Sequence, residues 1–183
     1  MIIGITGKRL SGKTTVAEYI RDKCSFRILD FTNDLLAPIL RKQKKEVERR
    51  NLAELAMRIR RKEGGNDALI KRLSGKILPG RNYVIVAIRF PEEVRYLRKK
   101  FKNRFILLAV EASAEKRFRR IYNFREKEQL KTMEGFMGLE KLPTEKPIAE
   151  AMDMADFTVN NNGTKRGLEK ATDILMKKIK VRS

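Results

Sequence analysis

The chain has 183 residues, 42% of them hydrophobic, and a formal net charge of +20. That length allows one sizeable core, and no apolar run approaches the roughly twenty residues a transmembrane helix needs. With one cysteine and no histidine, an internal disulfide is excluded, and acid–base chemistry falls to carboxylates, lysine or the substrate.

No basic region precedes an apolar segment at the N-terminus, so no signal peptide is expected, and the lone Cys24 suits a reducing cytoplasm. The excess of lysine and arginine has two readings. One is a polyanionic partner, such as nucleotides or nucleic acid. The other is a lysine-rich chain with solvated helix faces, because the basic residues are spread through most predicted helices.

In chain order, Met1-Ile2-Ile3-Gly4-Ile5 is an apolar run ending at Thr6, and it predicts a buried strand. Gly7-Lys8-Arg9-Leu10-Ser11-Gly12-Lys13-Thr14 follows and fits G-x-x-x-x-G-K-[ST], the phosphate-binding P-loop. Thr15 to Ile20 predicts a helix with Val16, Tyr19 and Ile20 on one face. The chemistry needs this order of elements. The glycines let successive N–H groups point inward as an anion nest, and the helix start adds the positive end of its dipole. The motif assigns the loop from Gly7 through Thr15 to the phosphates of a nucleotide. Within it, Lys13 reaches the β- and γ-phosphates and the Thr14 hydroxyl ligates Mg²⁺.

Ser25 to Phe31 predicts a second strand. Asn33-Asp34 predicts the cap of a helix burying Leu35, Leu36, Ile39 and Leu40, with Pro38 near its first turn. A basic hinge from Arg41 to Lys45 leads to a helix striped by Leu52, Leu55, Ala56 and Ile59 and ended by Gly64-Gly65. A short helix from Asn66-Asp67 through Ile77 precedes a turn at Pro79-Gly80. Tyr83 to Ile88 is the clearest buried strand. Pro91 with Glu92 and Glu93 predicts a helix start, with Val94, Leu97 and Phe101 on one face. Phe105 to Val110 predicts another strand, and Ser113 the cap of a helix carrying Phe118 and Ile121. Residues 122–146 are polar and broken by glycine and proline, and predict a mobile, lid-like insertion. A helix from Ile148 to Ala155, a strand from Phe157 to Asn160, a turn at Asn161-Asn162-Gly163 and a Thr164-capped helix to about Lys180 complete the chain. Apolar strands alternating with helices predict an α/β fold. Its parallel sheet is covered on both faces in a single domain over residues 1–183, with the phosphate site at the C-terminal ends of the strands.

Four stretches now bear on kinship: Ile3 to Ala17, Asn82 to Leu97, Phe105 to Ile121, and Ala155 to Thr164. Together they resemble the small P-loop kinases of the nucleoside-monophosphate kinase group, including the dephospho-CoA-kinase-like and deoxynucleoside-monophosphate-kinase-like families. The resemblance implies a P-loop NTPase three-layer sandwich with a central five-stranded parallel sheet and a helical lid. It implies ATP with Mg²⁺ as donor, GTP staying open, and phosphoryl transfer to a nucleotide-like small acceptor. A (deoxy)nucleoside monophosphate is the first such acceptor and dephospho-CoA the alternative.

The resemblance also implies roles. Arg89 grips the acceptor and Arg60 is a second acceptor arginine. Arg117 and Arg120 begin the lid, with Arg120 on the donor phosphates. Asn160 to Thr164, with Asn162, borders the adenine. Each has a plainer reading as a surface arginine, a solvated basic face or a simple turn. Similar kinases often carry an aspartate late in the central strand, where this chain has Val86-Ala87. The carboxylate then comes from elsewhere: Asp30 and Asp34, which also read as helix caps, and Glu111 after them. The lid's usual arginine–aspartate pair is replaced by Gly138-Leu139-Glu140-Lys141, with Glu140 as the substitute.

Two functions from different classes follow. One is an ATP-dependent phosphotransferase. The other is a nucleotide-gated P-loop protein that binds RNA or DNA through its charge, with Phe118, Tyr122 and Phe124 interleaved among basic residues. A kinase of polynucleotide ends joins the two. No membrane partner is expected, and the acceptor and oligomeric state stay open.

Overall fold

A computed structural model describes residues 1–123, 132–140 and 145–182. Five strands form one sheet among the described residues: β1 (Ile2–Thr6), β2 (Arg27–Asp30), β3 (Tyr83–Val86), β4 (Phe105–Glu111) and β5 (Phe157–Asn160). Their order is β2-β3-β1-β4-β5, and every neighbouring pair is parallel. The register sets Ile2 beside both Tyr83 and Phe105, so β1 runs down the middle with its five residues buried.

Strand side chains alternate between faces, and here both faces are dry. Ile2, Leu29, Tyr83, Ile85, Phe105 and Leu107 face one core. That core is closed by α2 (Ala37–Lys42), α3 (Arg49–Glu63), α4 (Ala68–Ser74), α5 (Pro91–Phe101) and α8 (Lys146–Asp153). Ile3, Ile5, Val84, Val86, Leu108, Val110 and Val159 face a second core under α1 (Lys13–Cys24) and α9 (Lys165–Arg182). This split explains the near-continuous apolar runs and gives the three-layer sandwich. Gly4 allows close packing on the first face, since a Cβ there would run into Ile88 Cδ1 and the Phe105 ring.

Several boundaries differ from the sequence expectations. β3 stops at Val86, because Ala87 turns to a φ of +68° and leaves the ladder. The second helical stretch is capped by Asp30, not by Asn33-Asp34. Asp30 Oδ1 accepts the Asn33 N–H at 2.8 Å, and a π-helical segment, Phe31–Leu36, runs straight into α2. α4 ends at Ser74, short of Ile77. The insertion holds a helix, α7 (Met133–Glu140), which buries Phe136 against Ile121 beside α6 (Ala114–Arg119). Phe124 and Lys141 lie outside the described residues. No helix among the described residues is long and apolar enough to cross a membrane.

Candidate active site

β1 delivers the chain into the P-loop at the C-terminal edge of the sheet. The loop passes through left-handed backbone at Gly7 (φ +144°), Leu10 (φ +59°) and Gly12 (φ +103°). At Gly12 a Cβ would also run into Asn161 Nδ2. Leu10 lacks glycine's freedom and is held from outside. Arg120 donates from Nη1 to the Leu10 carbonyl and from Nη2 to the Asn161 carbonyl, each at 2.7 Å. Asn161 donates from Nδ2 to the Ser11 carbonyl at 2.7 Å. Two side chains therefore tie the P-loop to the turn after β5.

α1 starts at Lys13 without a side-chain cap, so its first-turn amides are available to an anion. Lys13 Nζ donates to the carbonyls of Gly7 and Lys8, both at 2.8 Å. Burial pushes its ammonium down to about 8. Arg89's charge adds to that shift, and Glu145's charge opposes it. Thr14 is exposed in the first turn of α1. Among the described residues, no group of three or more His, Cys, Asp or Glu converges to hold a metal. A divalent ion here would rest on the Thr14 hydroxyl and on phosphate oxygens, which is the donor set the motif provides.

Two cavities open beside the loop. A cleft of about 500 Å³ has apolar walls from Phe31, Leu36, Leu52, Ala56 and Phe90. Arg9, Arg49, Arg60 and Arg89 line it with the carboxylates Asp30, Glu93, Glu140 and Glu145. A smaller cavity of about 270 Å³ lies against Lys13, between the loop and the residues after β3.

The structure brings Asp30, Arg60 and Arg89 to the cleft. Arg60 lies 4.7 Å over the Phe90 ring, with Nη2 4.0 Å from Glu93. Glu93 is 1% exposed, and its Oε2 accepts the N–H groups of Arg89 at 2.8 Å and Phe90 at 3.2 Å. Burial pushes its carboxyl up to about 7, against the pull of those amides and the arginines. Glu93 thereby fixes the turn that carries Arg89. In the sequence it shows only as an acid in the first turn of a helix, a favourable charge there.

Other candidates sit differently. Asp34 turns its Oδ2 onto the Asp30 N–H at 2.7 Å, within the cap. Asn162 accepts the Ser113 N–H at 2.7 Å, while its neighbour Asn161 is buried against the P-loop. Arg120 aims its guanidinium at backbone carbonyls rather than standing free in the cavity. Arg117, 2% exposed, pairs with Glu140, whose Oε2 also lies 3.5 Å from Lys8 Nζ. Helix α7 is thus joined to the P-loop through Glu140. Glu145 carried no signal in the sequence, because it follows a polar stretch and reaches the site only through the packing of α8.

No protein-family model matches the chain. A UPF0200/UPF0201 protein of Archaeoglobus fulgidus is 32% identical over 185 residues, 96% of this chain and 55% of that protein. The chain thus spans about half the length of that relative. Among solved structures, TT1252 from Thermus thermophilus is 26% identical with a TM-score of 0.57, covering 97% of each chain. Shikimate kinase from Bacteroides thetaiotaomicron has a TM-score of 0.64 at 16% identity, covering 98% of each chain. These likenesses favour neither nucleoside-monophosphate kinases nor dephospho-CoA kinases in particular. A five-stranded parallel sheet, a P-loop after β1 and helices on both faces give the chain the fold of the P-loop kinases.

Proposed function

We propose that the chain is an ATP- and Mg²⁺-dependent phosphotransferase acting on a small, anionic, nucleotide-like acceptor. One observation carries the reading. The cavity against Lys13 and the larger cleft share Arg9, Arg49, Ala87, Arg89 and Glu145, so a donor on the P-loop and an acceptor in the cleft meet across one wall. Phosphoryl transfer asks the protein for alignment and charge neutralisation, not for covalent chemistry. Lys13 and the uncapped start of α1 hold the donor phosphates. Bound Mg²⁺ supplies further neutralisation of their oxygens. Arg60 and Arg89 hold the acceptor's anionic group, and Phe31 and Phe90 offer faces for a flat apolar body.

A hydroxyl acceptor is a second reading, favoured by Asp30, which lines the cleft. Its carboxylate would take the hydroxyl proton as the oxygen attacks. A nucleic-acid partner is a third, resting on the charge of +20.

The test is ADP release from Mg·ATP with a panel of ribo- and deoxynucleoside monophosphates, dephospho-CoA and a 5′-hydroxyl oligonucleotide. One acceptor class should accelerate release, and Lys13→Ala should lower that rate by about 100-fold or more. Asp30→Asn should cost about 100-fold with a hydroxyl acceptor and little with a phosphate acceptor. No acceleration by any member of the panel would overturn the reading.

A further inference from the structure

We propose that Glu145 is a positioning residue for phosphoryl transfer, holding Arg89 at the junction between the P-loop cavity and the acceptor cleft. The proposal rests on the kinase reading above and adds a residue to it.

Among the described residues lining the smaller cavity, Glu145 is the one acid, and it faces Lys13, Arg9, Arg49 and Arg89. It also lines the larger cleft. The other acids of the cleft have partners elsewhere. Glu93 is buried on the amides of Arg89 and Phe90. Glu140 pairs with Arg117 and Lys8. Asp30 caps through Asn33. Glu145 Oε1 instead stands 3.7 Å from Arg89 Nη1, and the Arg89 side chain is 51% exposed. β3 ends at Val86, and neither it nor Ala87 after it brings a polar side chain to this point.

Glu145 reaches the junction because α8 is anchored. Ile148 and Ala151 are buried, and the Ile148 N–H donates to the Glu145 carbonyl at 3.1 Å. Without this carboxylate, the charges of Lys13 and Arg89 would repel one another across the cavity with no acid lining it to offset them. With it, the Arg89 guanidinium is drawn to the wall where a transferring group passes. The same negative charge opposes phosphate binding. Glu145 thus weakens the ground state of the bound nucleotide while ordering the group that aligns the reaction, a combination that a merely structural residue does not show.

The experiment compares Glu145→Gln, Glu145→Asp, Arg89→Lys and the double variant Glu145→Gln/Arg89→Lys in the full chain. Glu150→Gln is the control for net charge, since Glu150 is an exposed acid on the same helix. Steady-state turnover is read with whichever acceptor accelerates ADP release, and ADP binding is read by calorimetry. In Glu145→Gln, kcat should fall about 10- to 100-fold. ADP should bind about three- to tenfold tighter, because a like charge is gone. The pH above which ADP affinity declines should move below about 8, since Glu145 supports the charged form of Lys13. Glu145→Asp should recover part of the rate, and the double variant should lose less than the product of the single losses. Turnover in Glu145→Gln within about threefold of wild type, or losses that simply multiply, would overturn the proposal. Wild-type protein that transfers to no acceptor would sink the kinase reading and this proposal with it. An active wild type with an equally active Glu145→Gln would sink this proposal alone.

Discussion

Lys13, the proposed ligand of the donor phosphates, is also a largely desolvated cation, and those demands pull against each other. Burial holds its ammonium at about 8 rather than 10.5. Between those values the unfolded chain binds the proton and the folded chain does not, so stability rises with pH across that window. Ligand binding reads the same shift in the opposite sense. Below about pH 8 the group is already charged and ADP affinity should be flat. Above it a proton must be taken up on binding, so the Kd should rise by up to about tenfold per pH unit. Calorimetric ADP titrations on either side of that value check this, and a flat profile on the alkaline side would contradict it. Glu93 gives a second pH signature. Its carboxyl, raised from 4.5 to about 7, keeps a proton in the folded state that the unfolded state has lost. Its contribution to stability is therefore fully present below 4.5 and is lost as pH rises through about 7. Glu93→Gln should remove up to about 3 kcal/mol of that loss, read from urea midpoints at the two ends of the window.

At the scale of elements, the site is held by ties between segments far apart in sequence. The turn after β5 grips the P-loop through Asn161 on Ser11, and Arg120 grips both. These ties keep Leu10 in left-handed backbone, which a non-glycine residue does not hold unaided. Asn161→Ala should cost about 1–2 kcal/mol of stability, because the buried Ser11 carbonyl loses its donor. It should also weaken ADP binding more than Asn162→Ala does, since Asn162 bonds to Ser113 at the start of α6. Paired ADP titrations of the two variants decide this. Helix α7 is bound in a lighter way. Phe136 and Ile121 form a small apolar cluster apart from the two main cores, and Arg117 with Glu140 adds an ion pair beside it. We propose that a helix so held shifts without disturbing the sheet, as a closing lid requires.

At the scale of the whole molecule, a charge of +20 surrounds a fold whose chemistry needs only a few cations. Some of the excess is engaged in structure. Arg98 donates to the Met154 carbonyl and to Asp156, and Lys100 to the Ser74 hydroxyl. The last turns of α3 and α5 each carry three basic residues, so the charge is spread over the surface. Such a surface attracts polyanions without selecting among them. Filter retention of single-stranded RNA should therefore be lost between about 50 and about 200 mM salt. Retention that persists at the upper concentration would favour the nucleic-acid reading over the kinase one.

The sequence by itself determined the P-loop motif, the parallel α/β sheet and the placing of that loop at the C-terminal ends of the strands. Each is written in short-range pattern. Apolar runs mark strands buried on both faces, and a glycine-rich turn between strand and helix marks the anion site. Arg60 and Arg89 were candidates through the resemblance to small P-loop kinases, and Asp30 as a carboxylate at the end of the second strand; the structure brings all three to one cleft. Only the tertiary structure decided which polar groups meet. Glu93 clasps the Arg89 turn, Asn161 rather than its neighbour faces the P-loop, and Glu145 crosses from α8 to Arg89. Arg120 and Leu10 touch across 110 positions. Such contacts depend on how helices pack against the sheet, and no local periodicity encodes that. The boundaries that slipped have the same cause. Ala87 leaves β3 through a left-handed turn that its apolar sequence does not announce; beyond it the Ile88 N–H donates to the Ile5 carbonyl and the buried Glu93 carboxylate holds the amides of Arg89 and Phe90.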